Sequence, residues 1–196
     1  MPSPERYLTR DEISTVLAWL KKKHHRSVPE SRRKNLVIFR LSCCCGLRSK
    51  EIRLLQVRDF IPGARPVIRV RDDATKGSRG RTVRLWWDQG TYEDLLAWWT
   101  ERAHLGPTAP FVSNRNGDPM SRTGLSEHWW AALRPLGDSR RKQLSIHSGR
   151  HTFCTAANWS GRSLDEIRDA MGHRSLATTS IYAHGWDREG LPDLFA

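Results

Sequence analysis

The sequence predicts an α+β fold that is mainly α, a single helical domain interrupted by one small antiparallel sheet. Three observations predict it. Capping signals and apolar residues at helical spacing recur along most of the 196 residues. Between positions 57 and 86 the pattern changes to short runs rich in β-branched and aromatic residues. No internal repeat or low-complexity linker divides the chain, and its length suits one domain.

Thr9-Arg10-Asp11-Glu12 is a capping box, and it opens a helix with Ile13, Val16, Leu17 and Leu20 on one face. The basic run from Lys21 to Arg26 follows, and Pro29 ends that segment. A second helix is expected from about Ser31 through Leu36, Val37, Phe39, Leu41 and Cys44 to Gly46, where glycine suits a C-terminal cap. Ser49 is placed to cap a short helix carrying Glu51, Ile52 and Leu55. Val57–Ile61, Pro66–Arg71 and Arg81–Trp86 then read as strands. Thr82 to Leu85 alternate polar and apolar, as a half-buried strand does. Between the last two runs, Asp72 to Gly80 makes a glycine-containing hairpin turn.

Helical patterns resume from Thr91 to Ala103, with Leu95, Leu96, Trp98 and Trp99. Asn114 to Pro119 is a turn with Asn116-Gly117 at its tip. Ser121 to Leu133 is helical, and Ser145 caps a helix that ends near Ser160-Gly161. Ser163-Leu164-Asp165-Glu166 is a second capping box whose helix stops at Gly172. Ser175 to Ala183 forms the next turn or helix.

Composition narrows the function. Lys and Arg number 33 against 21 Asp and Glu, a net +12, which points to a polyanionic partner, most commonly nucleic acid. No apolar run is long enough to span a membrane, and Met1 to Arg10 is polar with no signal core. Cys43, Cys44 and Cys45 are adjacent and Cys154 stands alone, a poor disulfide framework. They read as small apolar residues in a reducing cytoplasm.

Four segments carry chemistry. They are Cys45-Gly46-Leu47-Arg48-Ser49-Lys50-Glu51-Ile52, Thr75-Lys76-Gly77, Ile146-His147-Ser148-Gly149-Arg150-His151-Thr152-Phe153, and Met171-Gly172-His173-Arg174-Ser175 with Ile181-Tyr182-Ala183-His184. In this order and context the chain resembles the tyrosine recombinases, the phage-integrase family, from about residue 8 to 184. The resemblance implies the catalytic-domain fold, mainly α with a small three-stranded antiparallel sheet. It implies site-specific breakage and rejoining of DNA through a covalent 3′-phosphotyrosine at Tyr182, without a metal or other cofactor.

The chemistry asks for these residue types in its own right. A tyrosine hydroxyl can hold a phosphate and leave again when the reaction reverses. Two arginines can clamp the nonbridging oxygens with bidentate, charge-assisted hydrogen bonds, and Arg48 and Arg150 are the candidates. His147 and Arg150 are three apart on one helix and share a face. The resemblance implies that Lys76 is the general acid for the leaving 5′ oxygen and that His147 does acid–base and phosphate-orienting work. It also implies that His173 hydrogen-bonds a nonbridging oxygen, and Glu51 matches the acidic position that supports the active-site His and Arg.

Other readings remain open at this point. His147, His151 and Cys154 lie at helical spacing and resemble metal ligands, although Arg150 projects among them and no fourth ligand is near. The nine tryptophans read first as packing residues, with Trp86, Trp87, Trp129 and Trp130 the ones that could instead touch DNA. Gly149 stands where leucine is commoner in the family. Most members carry an N-terminal core-binding domain. Here the whole span 1–196 reads as one catalytic domain without it, either a fragment or one of the short members. The tail after Tyr182, with Leu191, Leu194 and Phe195, is suited to docking on a neighbouring subunit. The expected partners are double-stranded DNA and further copies of the chain, the family's tetramer, with no membrane, in the cytoplasm at the nucleoid. The competing functions are a type IB-like topoisomerase and a catalytically silent DNA-binding regulator, which a covalent-adduct assay separates.

Overall fold

The first helix forms where its capping box places it. In the computed structural model, which describes residues 6–22, 29–74, 80–85 and 87–173, α1 spans Arg10–Lys21. The Thr9 hydroxyl accepts the Glu12 N–H at 3.2 Å, and the Glu12 carboxylate accepts the Thr9 N–H at 2.8 Å. Ile13, Val16, Leu17 and Leu20 are buried on its inner face. Lys76, Trp86, the expected turn or helix at Ser175–Ala183 and Tyr182 lie outside the described residues.

The second helix spans the stretch its sequence suggests but is less regular. α2 runs Glu30–Phe39, and the chain then winds as a π turn over Arg40–Cys44, with the Cys45 N–H reaching back to the Arg40 carbonyl at 3.0 Å. Gly46 ends it at φ +63, and a Cβ there would stand 2.6 Å from the Phe153 ring. Only glycine meets both conditions. α3 follows at Ser49–Leu54. Ser49 is not its cap. Arg48 holds that position, and Glu51, three residues on, supplies the capping carboxylate to the Arg48 N–H at 2.7 Å.

The sheet has three antiparallel strands, β1 Phe60–Ile61, β2 Val67–Val70 and β3 Arg81–Arg84, in that spatial order. Phe60 faces Ile68, Ile68 faces Val83, and Val70 faces Arg81. The first strand is shorter than its β-branched run because Val57–Asp59 is a 3₁₀ turn. There the Asp59 carboxylate takes the Gln56 N–H at 2.8 Å and Arg71 at 3.0 Å.

The remaining helices are α4 Gln89–Arg102, α5 Arg122–Ala132, α6 Gly137–Lys142, α7 Ile146–Trp159 and α8 Leu164–Met171. The short polar α6 has no apolar period to announce it. α7 packs along the π turn, and α2 packs against α5. Phe39 stacks on Trp129 at 5.9 Å between ring centres, and Phe153 stacks on Trp87 at 6.2 Å. Trp87 and Trp129 are therefore core residues, whereas Trp130 is 41% exposed. All four cysteines are free and buried. Arg40 is buried as well, tied to Asp88 at 3.2 Å and Asp94 at 2.8 Å, so the π turn is also fixed to α4.

α7 and the π turn approach closely at Gly149. A Cβ there would lie 2.9 Å from the Ser42 Cβ, while the Ser42 hydroxyl donates to the Ile146 carbonyl at 2.9 Å. Ser42 thus fills the space a side chain at position 149 would need. Helix propensity alone would make Gly149→Ala stabilising by about 1 kcal/mol. The close approach reverses the sign, and the variant should lose about 1–3 kcal/mol. A lower urea midpoint at unchanged slope is the expected outcome; a raised midpoint would show that the contact yields.

Candidate active site

Glu51 is 1% exposed at the start of α3, and a carboxylate so deeply placed needs partners. It has two guanidiniums. Arg81 grips it with both nitrogens, Nη1 to Oε1 at 2.7 Å and Nη2 to Oε2 at 2.8 Å. Arg48 adds Nη1 to Oε1 at 2.8 Å and its backbone N–H to Oε2 at 2.7 Å. Burial works to raise the Glu51 pKa. The hydrogen bonds and charge of Arg81, the Arg48 N–H and the charge of Arg150 outweigh it and hold the carboxyl at about 2.

Arg150 lies in the second turn of α7 and is 8% exposed. Its Nη1 donates to the Gly46 carbonyl at 2.5 Å and its Nη2 to the Met171 carbonyl. Those two acceptors sit two residues before Arg48 and two before His173, so one side chain sets the spacing of three site elements. Burial first, then the nearby charges of Arg48 and Arg81, push its pKa down to about 9. The guanidinium keeps its proton at neutral pH, in surroundings short of negative charge.

His173 leaves α8 just after Gly172, which caps the helix at φ +61. Its backbone N–H bonds the Arg168 carbonyl at 3.1 Å. Burial, then Arg150, Arg48 and Arg81, push its imidazole down to about 4. It is therefore neutral at pH 7, able to donate a hydrogen bond to a phosphate oxygen without adding charge. His147 lies one turn before Arg150 on α7, exposed at the rim of a groove also lined by Ser49, Arg122, Thr123 and Trp130. Its neighbour His151 is half-buried, its pKa lowered by burial and by His147 and Arg150.

Of the residues singled out in the sequence, Arg48, Glu51, Arg150 and His173 form one charge cluster, with His147 beside it. The rival metal set does not assemble. Burial pushes the Cys154 thiol up to about 12, and among the described residues no group of three His, Cys, Asp or Glu side chains is placed to hold a metal.

Arg81 is the member that sequence reading missed. Its side chain is 6% exposed, its Nε donates to the Ala170 carbonyl at 2.7 Å, and its Cδ passes where a Cβ on Gly172 would stand, 2.8 Å away. A signal existed. Strand alternation puts positions 81, 83 and 85 on one face, and Val83 and Leu85 mark that face as buried. An arginine on an inward face implies a waiting carboxylate. Arg48, Arg81 and Arg150 thus surround one carboxylate, and their charges outnumber it.

The sequence matches the profile of the phage integrase family over residues 6–189. It is 32% identical to tyrosine recombinase XerC of Pelobacter propionicus over 71% of this chain and 43% of that protein. It is 27% identical to tyrosine recombinase XerH of Helicobacter pylori over 83% and 44%. The chain spans about half the length of the curated relatives it matches. In solved structures, XerH bound to difH substrate in a pre-cleavage complex aligns at TM-score 0.73, 24% identity, 93% of this chain and 51% of that one. A lambda integrase dimer bound to a COC′ core site aligns at 0.66, 16% identity, 94% and 62%.

Two of the shifted groups, His173 and Glu51, predict how stability depends on pH. His173 binds its proton below about 4 when folded, against an ordinary 6.5, so the unfolded chain holds more protons between those values and stability should rise with pH across that window. The contribution of Glu51 is present above its ordinary 4.5 and is lost as pH falls towards 2. Denaturant melts from pH 2 to 7 should show both slopes, and Glu51→Gln should weaken the lower one, to which Glu12 also contributes.

Proposed function

Because the chain belongs to the phage integrase family of tyrosine recombinases, we propose that it breaks and rejoins DNA at specific sites through a covalent 3′-phosphotyrosine at Tyr182. The observation that carries this reading is the cluster of Arg48, Arg81 and Arg150 around the single buried carboxylate of Glu51, with His173 kept neutral beside it. Three fixed cations against one anion make a cradle that a phosphodiester completes.

In this reading Arg48 and Arg150 hold the nonbridging oxygens, and His173 donates a hydrogen bond to one of them. The Tyr182 hydroxyl, neutral at pH 7 with an ordinary pKa of about 10, gives its proton to His147 as its oxygen bonds to phosphorus. The bond from phosphorus to the 5′ oxygen breaks, and Lys76 supplies the proton that oxygen needs. One phosphate ester replaces another, so the step is reversible and needs no high-energy cofactor. A free 5′ hydroxyl from a second strand can reverse it and exchange the partners. The charge that a metal brings to other phosphoryl transfers comes here from arginine. The partners are duplex DNA and, on it, further copies of the chain in a tetramer, at the nucleoid. The net +12 suits that partner.

A nicked suicide substrate should trap a 3′-phosphotyrosyl adduct with a free 5′ hydroxyl, in excess EDTA as well as without it. Tyr182→Phe should keep DNA binding and lose the adduct; peptide mapping of the DNA to Tyr7 or Tyr92 would sink the assignment. Lys76→Ala should slow cleavage by about 10²–10⁴-fold, and a substrate with sulfur in place of the 5′ leaving oxygen should restore it. Equal defects on both substrates would remove Lys76 from the general-acid role.

A further inference from the structure

We infer that Arg81 is a positioning residue for this reaction: it holds Glu51 so that Arg48 faces the phosphate, and it ties that frame to the end of α8. The inference rests on the DNA-cleaving reading above, and deepens it. Arg81 is buried and both of its terminal nitrogens are occupied by Glu51, so it acts through other groups rather than on the scissile phosphate itself.

The argument is one of competition for two oxygens. A carboxylate prefers a two-point grip on a guanidinium. Arg81 already makes that grip, which leaves Arg48 an end-on bond through Nη1 and a side chain 31% exposed. Take Arg81 away and Glu51 is free to close on Arg48 with both oxygens. Arg48 is then neutralised by the carboxylate instead of by the substrate.

The second arm reaches α8. The Arg81 Nε takes the Ala170 carbonyl, and Arg150 takes the next carbonyl, Met171. These belong to the last turn of α8, where helix carbonyls lack partners and the dipole favours cations. His173 follows two residues on. Arg81 therefore joins β3, the Glu51–Arg48 pair and the base of His173 in one rigid link.

Three groups act on the Glu51 carboxyl, Arg48 from the head of α3, Arg81 from β3 and Arg150 from α7, and the same three arginines, with His151, act on His173 past the end of α8. Arg81 is the strongest of those favouring ionisation. Its loss leaves burial far less opposed, so the carboxyl should become protonable at mildly acid pH.

The test is single-turnover cleavage of a nicked suicide substrate by Arg81→Met, Arg81→Lys, Glu51→Gln and Glu51→Gln/Arg81→Met, from pH 4.5 to 8. Arg81→Met is expected to bind the substrate with little change and to cleave about a hundredfold slower, the size of effect an ångström-scale misplacement produces. Its rate should depend on pH in the acid range differently from that of the unsubstituted protein, and the double variant should lack that difference and be no slower than Arg81→Met. Arg81→Lys keeps the charge without the fork and should fall between; it carries the test if Arg81→Met does not fold. A wild-type rate in either Arg81 variant overturns the inference, as does a pH-independent loss that multiplies with that of Glu51→Gln. Absence of any adduct with the unsubstituted protein would instead strike at the cleavage reading.

Discussion

A single carboxylate shared by two arginines is what the rest of the site hangs on. Glu51 is sealed from solvent at the start of α3, where its oxygens satisfy four donors from two residues. It caps the helix that presents Arg48, fixes the Arg48 guanidinium and anchors Arg81 at the edge of the sheet. Local and tertiary structure are joined at one group, since the hydrogen bond that starts α3 also begins the ionic network of the site. A buried ion pair adds little net stability. Its effect here is on placement, because the arginines cannot leave without stranding a buried charge.

Backbone geometry does the remaining placement. The π turn over Arg40–Cys44 lets the chain reach Gly46, whose positive φ turns it into Arg48 and leaves the Gly46 carbonyl aimed at α7. Arg150 reads that carbonyl and the one at Met171. Two glycines, Gly46 and Gly149, let α7 lie close enough for this reach, with the Phe153 ring and Ser42 filling the space a side chain would need. Packing density and site geometry are here the same fact.

Much of this is legible in the sequence, and the illegible part has physical causes. The capping boxes at Thr9 and Ser163 mark α1 and α8 because capping is local chemistry. The sheet shows through its β-branched runs, and the first run is the most overextended, since Asp59 caps a 3₁₀ turn that propensity cannot see. Ser49 is a good cap by residue type, yet the glutamate two residues on sets the helix start. The π turn leaves no trace, because Arg40 and its carboxylates Asp88 and Asp94 lie far apart in the chain. Motif order brings Arg48, Glu51, Arg150 and His173 to notice, and the structure gathers them. Arg81 belongs to no motif; only strand alternation next to Val83 and Leu85 points to it.

The gathered site is electrostatically unfinished, and that follows from how it is built. Backbone carbonyls from Gly46, Ala170 and Met171 satisfy the guanidinium hydrogen bonds, but carbonyls supply dipoles rather than charge. Burial first, and then repulsion among the cations, depresses Arg150 and keeps His173 neutral. Every additional carboxylate would relieve that strain and would also fill the place of a phosphate. With Glu51 as the one carboxylate among these groups, enough charge remains to order the arginines and too little to neutralise them. Under the proposed function that residual attraction serves the phosphate between Arg48, Arg150 and His173, and it is oriented before the phosphate arrives.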